Sequence, residues 1–131
     1  VRDQLNRDIE ATRDNDRITL NIAVNYGGRN EIIDAARRAA AMVQAGEISP
    51  AQIDEKLFSS LMYSPELGDP DLLIRTAGEM RVSNFLLWQI AYTEIYVTQT
   101  LWPDVTKDTL IEAIADYQKR TRKFGAVVEN G

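Results

Sequence analysis

The stretch that decides the fold runs from residue 69 to residue 104 and reads DPDLLIRTAGEMRVSNFLLWQIAYTEIYVTQTLWPD. Its apolar run Leu72-Leu73-Ile74 indicates a buried strand that ends at Arg75. A second run, Ile95-Tyr96-Val97, combines β-branched and aromatic residues and predicts another strand. Between the two, the apolar stretch 85–88 predicts a helix over about residues 84–92, with Ser83 at its start. A strand, a helix and a strand in this order favour parallel pairing.

The rest of the chain continues this alternation of strands and helices. Segment 18–24 alternates β-branched and apolar residues and predicts a buried strand. We expect one helix capped by Asn30, one from Ser49 to about Tyr63 and a last one capped by Thr106. The apolar faces predicted for the first and last of these are Ile32, Ile33, Ala36, Ala40 and Val43, and Leu110, Ile111, Ile114 and Tyr117. The sequence therefore predicts an α/β domain with a mainly parallel sheet flanked by helices, Rossmann-like.

Composition sets the outer limits on function. The 131 residues fit one domain, and shares of 44% hydrophobic and 27% charged residues are typical of a globular protein. A net charge of −5 argues against nucleic-acid binding, because phosphate backbones attract basic surfaces. The absence of cysteine suits a cytoplasmic protein. The absence of histidine means that any metal needs oxygen ligands, which favours Mg²⁺.

The loop after the first strand carries the residues with the clearest chemical meaning. Arg75 ends the strand, Arg81 follows six residues later, and Ser83 comes two residues after that. Loops at the carboxyl edge of a parallel sheet are common ligand sites. Guanidiniums, a hydroxyl and the free N–H groups of a helix start would together bind an anion such as a phosphate or diphosphate.

These residues also have simpler interpretations, which spacing alone leaves open. Either arginine by itself could be a surface residue paired with Glu79, Asp71 or Asp69. Gly27-Gly28 could serve only to make a tight turn. The acids near the loop, Asp71, Glu79 and Glu94, could instead hold a magnesium ion together with substrate phosphates, and their spacing does not choose among them.

Several blocks of sequence carry a likeness to a known family. They are Asp71–Thr76, Gly78-Glu79, Arg81, Ser83–Gln89, Tyr92, Glu94 and Trp102-Pro103-Asp104, preceded by Asn21-Ile22-Ala23, Asn25–Arg29 and Glu31-Ile32. Together they resemble the cis-prenyltransferase family, and within it the bacterial members that make undecaprenyl diphosphate. The closing segment with Arg122, Phe124 and Gly125 is similar to the C-terminal end of that family. The resemblance extends over nearly the whole chain.

The resemblance implies a magnesium-dependent transferase that condenses isopentenyl diphosphate with an allylic diphosphate of the farnesyl type. Its product would be the lipid carrier for cell-wall glycans. In such enzymes the arginine-rich loop binds isopentenyl diphosphate, and the matching positions here are Arg75, Arg81 and Ser83. Glu94 resembles a glutamate tied to the magnesium site across a dimer. Secondary site candidates are Asp71, Glu79, Arg29 and Gly125, the last closing a Lys123-Phe124-Gly125 triplet that has lysine where the family has arginine.

The resemblance also implies a homodimer in the cytoplasm, with peripheral membrane association through the lipid product. One family element is missing, because the family opens with a His-x-x-Met-Asp-Gly-Asn segment and this chain contains no histidine. We therefore expect residues 1–131 to be the C-terminal part of a single cis-prenyltransferase domain, lacking its N-terminal strands and inactive alone. Processing or tag cleavage before Val1 is an alternative account of the start of the chain. The alternative functions are a non-catalytic partner subunit of such an enzyme and an unrelated phosphate-binding α/β module.

Overall fold

The computed structural model of this chain describes residues 2–121. Its helices are α1 (Arg2–Thr12), α2 (Gly28–Gln44), α3 (Glu55–Ser60) and α4 (Lys107–Gln118). Its strands are β1 (Leu72–Arg75) and β2 (Glu94–Val97), and short 3₁₀ turns cover Pro50–Gln52, Pro65–Leu67 and Trp102–Asp104.

Strands β1 and β2 pair in parallel, as the sequence predicts. Leu72 lies opposite Glu94, and Arg75 lies opposite Val97. Beyond the strands the same alignment continues, because the N–H of Thr98 donates to the carbonyl of Arg75 at 2.9 Å. The loop after β1 is attached to the chain beyond β2, since the N–H of Gly78 donates to the carbonyl of Thr98 at 2.8 Å. The prediction of an α/β fold with parallel strands is confirmed.

The predicted helix over residues 84–92 is wrong. Ser83, Asn84 and Leu86 have φ values of 47°, 64° and 46°, in the left-handed region, whereas an α-helix needs φ near −63°. The segment folds as a series of turns instead. Ser83 is therefore not a helix cap, and the helix N–H groups expected beside the arginines are not formed there.

The predicted strand over residues 18–24 is also wrong for the described part of the chain. These residues join no sheet, and Ile18 and Leu20 are 85% and 81% exposed. An alternating apolar segment becomes a buried strand only when a neighbouring strand supplies hydrogen bonds and another layer covers its side chains. Among residues 2–121 neither is provided.

Helix α2 exists as predicted, but it starts earlier and presents a different face. Its N-cap is Gly27 rather than Asn30. The buried residues are Gly28, Glu31, Ala35 and Ala39, whereas Ile33 is 48% exposed. The buried face is therefore rotated by about one residue from the predicted apolar stripe, and it consists of Glu31 and small residues.

In α4 the predicted N-cap is confirmed, whereas the predicted apolar face is not the buried one. Thr106 caps α4 through a capping box with Thr109, as expected. The buried positions of α4 are Thr109 and Ala113, and the predicted face residue Ile111 is 50% exposed. The single helix expected from Ser49 to Tyr63 is divided into a 3₁₀ turn and α3. Within residues 2–121, none of the helices has the length and apolar character that a membrane span requires.

Candidate functional site

The carboxylate of Glu79 joins the two predicted arginines. Arg75 donates through Nη2 to one oxygen of Glu79, and Arg81 donates through Nη2 to the other. The same Nη2 of Arg75 donates to Ser83 Oγ at 3.4 Å. The structure therefore brings together all three residues that the sequence predicts as diphosphate ligands, and it places them around one internal anion. We call this segment, residues 75–83, the arginine loop.

The two arginines differ in how firmly they are held. The side chain of Arg75 is 31% exposed and that of Arg81 is 65% exposed. The Nε of Arg75 is buried, and no acceptor for it is found among the described residues. A buried guanidinium donor normally has an acceptor, so the Nε of Arg75 is an unsatisfied donor within the described structure.

A cavity of about 210 Å³ lies against the arginine loop. Both arginines and Glu79 line it on the polar side. Its other wall is apolar and consists of Leu73, Met80, Val82, Ile95 and Val97. The cavity thus offers cations and hydrocarbon surface side by side, which suits a ligand that has a charged end and an apolar end.

Arg75 and Arg81 are both paired with Glu79, as the simpler interpretation of these arginines expects. This pairing does not exclude anion binding, because one carboxylate faces two guanidiniums and leaves one positive charge uncompensated. A diphosphate carries more negative charge than a carboxylate, and it can accept from both arginines at once. Within the described residues, both oxygens of Glu79 are already paired with these arginines.

Glu94 and Asp71 lie at the amino-terminal end of the two strands, whereas the arginine loop begins at their carboxyl-terminal end. Asp71 precedes β1, and its carbonyl accepts from the N–H of Glu94 at 3.1 Å, whereas Arg75 is at the far end of β1. The two ends of a strand of this length are about 10 Å apart, because each residue advances the strand by about 3.3 Å. Glu94 accepts from Arg120 Nη1 at 2.8 Å, and this hydrogen bond, together with one to Asp116, raises the pKa of Arg120.

A magnesium ion held only by protein carboxylates would need several acidic side chains close together, whereas one held partly by substrate phosphates needs only one or two. Among the described residues, no three acidic side chains are gathered as the first arrangement would require. The predicted ligand Glu94 is instead engaged by a guanidinium. A magnesium role for Glu94 stays a prediction, and within the described chain Glu94 is not brought to the arginine loop.

The two remaining secondary candidates have different outcomes. The side chain of Arg29 is exposed, and its backbone N–H donates to Asn84 Oδ1 at 2.9 Å, so the residue meets the loop region through its main chain. Gly125, with Lys123 and Phe124, lies outside the described residues.

Asn84 is a contact residue that the sequence reasoning missed. Its carbonyl accepts from the N–H of Gly28 at 2.8 Å. A Cβ on Gly27 would lie 2.9 Å from Asn84 Nδ2, and a Cβ on Gly28 would lie 2.9 Å from Leu87 Cγ. Gly27-Gly28 therefore permits a close approach between the start of α2 and the segment after the arginine loop. The signal in the sequence was Asn84 itself, since asparagine tolerates left-handed backbone.

Glu31 is a second residue whose importance the sequence did not reveal. It is 2% exposed and accepts from the Tyr26 hydroxyl, from the N–H of Tyr63 at 2.9 Å and from Gln89 Nε2 at 3.0 Å. Burial, then the hydrogen bond to Glu31, raises the pKa of Tyr26. These side chains line a cavity of about 450 Å³ together with residues 21–25. The four-residue spacing of Glu31 with Ala35 and Ala39 could have placed it on the buried face.

Fold and site together define an α/β domain with a cationic loop at the carboxyl edge of parallel strands. Comparison with known proteins identifies it further. Residues 1–125 match the family described as "Putative undecaprenyl diphosphate synthase", and the chain belongs to this prenyltransferase family. The prediction of the family from sequence blocks is confirmed.

Individual relatives agree with this assignment. An isoprenyl transferase of Heliobacterium mobile is 52% identical over 126 residues, which cover 96% of this chain and 48% of the relative. An isoprenyl transferase of Prochlorococcus marinus subsp. pastoris is 55% identical over 116 residues, covering 88% and 43%. The crystal structure of lavandulyl diphosphate synthase from Lavandula x intermedia, in complex with dimethylallyl diphosphate, matches with a TM-score of 0.86 at 41% identity over 95% of this chain and 53% of that one. The chain spans about half the length of the curated relatives it matches.

Proposed function

We propose that this chain carries the isopentenyl diphosphate site of a cis-prenyltransferase, with Arg75, Arg81 and Ser83 binding the diphosphate. The observation that carries the proposal is the convergence of both guanidiniums on one carboxylate, with the Ser83 hydroxyl within reach of Arg75. Two arginines that already hold one anion in common are placed to hold the oxygens of another. The whole enzyme would condense isopentenyl diphosphate with an allylic diphosphate of the farnesyl type to make undecaprenyl diphosphate.

The cavity beside the arginines supports this choice of substrate. A diphosphate held by Arg75 and Arg81 would direct its short hydrocarbon group toward Leu73, Val82 and Val97 on the apolar wall. This arrangement orients the reacting double bond without contributing a nucleophile or a base. The contribution of these residues is therefore positioning, which can supply a large part of a rate enhancement when two substrates must meet.

The allylic half of the reaction is assigned to groups outside the described residues. Magnesium, when bound, would stabilise charge on a departing diphosphate. No three acidic side chains are gathered among the described residues, and the proposal therefore rests on anion binding by the arginine loop. The family's opening aspartate segment contains a histidine, and this chain has none. We infer that the chain alone does not catalyse the condensation. The homodimer, the Glu94 contact across it and membrane association through the product belong to the proposal for the whole enzyme.

A non-catalytic partner subunit is the second candidate. The intact arginine loop disfavours it, because a subunit that binds no substrate has no need for Arg75, Arg81 and Ser83 to converge. Membership of the prenyltransferase family removes the unrelated phosphate-binding module from consideration.

Isothermal titration calorimetry tests the proposal directly. The chain should bind isopentenyl diphosphate in preference to ATP and NAD, because the wall beside the arginines is apolar and suits a short hydrocarbon group better than a polar ribose and base. Inorganic diphosphate serves as the matched ligand without a hydrocarbon group and should bind more weakly than isopentenyl diphosphate. Absence of binding by isopentenyl diphosphate, or equal binding of ATP, would overturn the assignment.

A further inference from the structure

We propose that Asn84 is a positioning residue for the diphosphate site, acting by joining the arginine loop to the first turn of α2. The inference rests on the proposed function, since it concerns the same site. Asn84 lies directly after Ser83, and it contacts α2 through both its backbone and its side chain.

The contact completes a helix end that lacks a cap of its own. The N-cap of α2 is Gly27, which has no side chain to accept from the first N–H groups. Asn84 supplies two of the missing acceptors, its carbonyl to the N–H of Gly28 at 2.8 Å and its Oδ1 to the N–H of Arg29, 55 residues away in the sequence, at 2.9 Å. Helix N-terminal N–H groups have no acceptors within the helix, so these two bonds replace a local cap.

The backbone around Asn84 needs such an external support. Ser83 has a φ of 47° and Asn84 a φ of 64°, and a serine is disfavoured there. Asn84 therefore keeps Ser83 in a conformation that the serine would otherwise leave. In that conformation Ser83 Oγ lies 3.4 Å from Arg75 Nη2, so the position of the hydroxyl relative to the arginine depends on the contact with α2.

The two glycines at the start of α2 are required by the same contact. A Cβ on Gly28 would lie 3.0 Å from the backbone N of Leu87 and 3.2 Å from the carbonyl of Asn84. Neither atom belongs to a flexible side chain, so the backbone after the arginine loop would have to move. Gly28 therefore offers a way to displace the loop without altering any residue in it.

Three variants test the inference by calorimetry with isopentenyl diphosphate. Asn84→Ala should weaken binding roughly tenfold, the effect of losing one good hydrogen bond. Gly28→Ala should reproduce that loss although Gly28 lies outside the arginine loop. Asn30→Ala, an exposed asparagine in the same turn of α2, is the matched control and should bind like the unmodified chain. If Asn84→Ala does not fold, Asn84→Gly carries the test, because it keeps the carbonyl and tolerates the backbone while removing Oδ1.

Two further measurements separate positioning from general destabilisation. Amide hydrogen exchange at Arg29 should accelerate in Asn84→Ala while the interior of α2 stays protected. In the double variant of Asn84→Ala and Ser83→Ala, the fold-loss of affinity should be smaller than the product of the two single losses. Both substitutions disturb the same contact of the Ser83 hydroxyl, so their effects are not independent. Unchanged affinity in Asn84→Ala, or fully multiplicative losses, would overturn the inference while the unmodified chain still binds. Failure of the unmodified chain to bind isopentenyl diphosphate would overturn the proposed function, and the inference with it.

Discussion

The carboxylate of Glu79 accepts a hydrogen bond from the guanidinium of Arg75, so the proposed diphosphate site already contains an anion of its own. Arg81 binds the other oxygen of the same carboxylate. Any diphosphate entering the arginine loop must share these cations with Glu79 or displace it. This relationship makes Glu79 the natural point at which to alter the charge of the site.

Neutralising Glu79 should tighten anion binding. Glu79→Gln keeps an acceptor oxygen and removes the competing negative charge, and we expect the affinity for inorganic diphosphate to rise roughly threefold to tenfold, as for a partly exposed charge. Calorimetry at low salt measures the change, and Glu47→Gln, an exposed acid beyond α2, is the control. A weaker affinity in Glu79→Gln would mean that the charge of Glu79 orients the arginines more than it competes.

Removing Arg81 should weaken the binding of isopentenyl diphosphate. Arg81→Ala deletes a charge-assisted hydrogen bond, with an expected loss of about 1–3 kcal/mol. Arg37→Ala is the matched control, because Arg37 is an exposed arginine that is likewise paired with an acid, Asp34. Equal affinity in the two variants would count against the role given to Arg81.

Replacing Glu31 should destabilise the fold rather than the site. Glu31→Gln can keep Oε1 as the acceptor for the N–H of Tyr63 and for Gln89 Nε2, but it replaces Oε2, which accepts from the hydroxyl of Tyr26, with an amide group that cannot accept. A buried donor without an acceptor costs about 1–3 kcal/mol, and we expect a loss of that size in the free energy of unfolding. Urea denaturation monitored by circular dichroism measures it. A loss no larger than that of the exposed Glu47→Gln would contradict the buried role.

Stability should fall in alkaline solution because of Tyr26. Burial and the hydrogen bond to Glu31 raise the pKa of Tyr26 above its usual 10.0, so the folded state keeps the phenol proton when the unfolded chain has lost it. The stabilisation is complete below pH 10.0 and declines as the pH rises further. Melting temperatures between about pH 9 and 11 should drop less steeply in Tyr26→Phe. The variant should still lose some stability as the pH rises, because the hydrogen bond from Tyr63 to Asp34 also raises the pKa of Tyr63. Identical slopes for the two proteins would exclude the contribution of Tyr26.

Local signals in the sequence predicted the two strands and one helix cap. Residues 72–75 and 94–97 contain short apolar runs, and both are strands because each supplies the other with hydrogen-bond partners. Thr106 caps α4 because capping involves only residues within one turn. The family was readable for a similar reason, since its motifs are contiguous blocks. The grouping of Arg75, Arg81 and Ser83 also follows from nearness along one loop.

Tertiary contacts decided the features that the sequence reasoning got wrong or missed. The apolar run 85–88 favours a helix locally, yet Ser83, Asn84 and Leu86 take left-handed conformations, and Asn84 is bound to the start of α2. The buried face of α2 depends on which segments pack on it, and the periodicity of isoleucines could not supply that information.

The sequence by itself determined the α/β class, the parallel strands, the family and the loop that carries the arginines. Only the tertiary structure decided that Glu79 lies between the arginines, that Glu94 pairs with Arg120 and that Glu31 and Asn84 join distant segments. The physical reason is the range of the interactions. Backbone preferences and capping act within a few residues, whereas the bond between Glu31 and Gln89 spans 58 positions and exists only after the chain has folded.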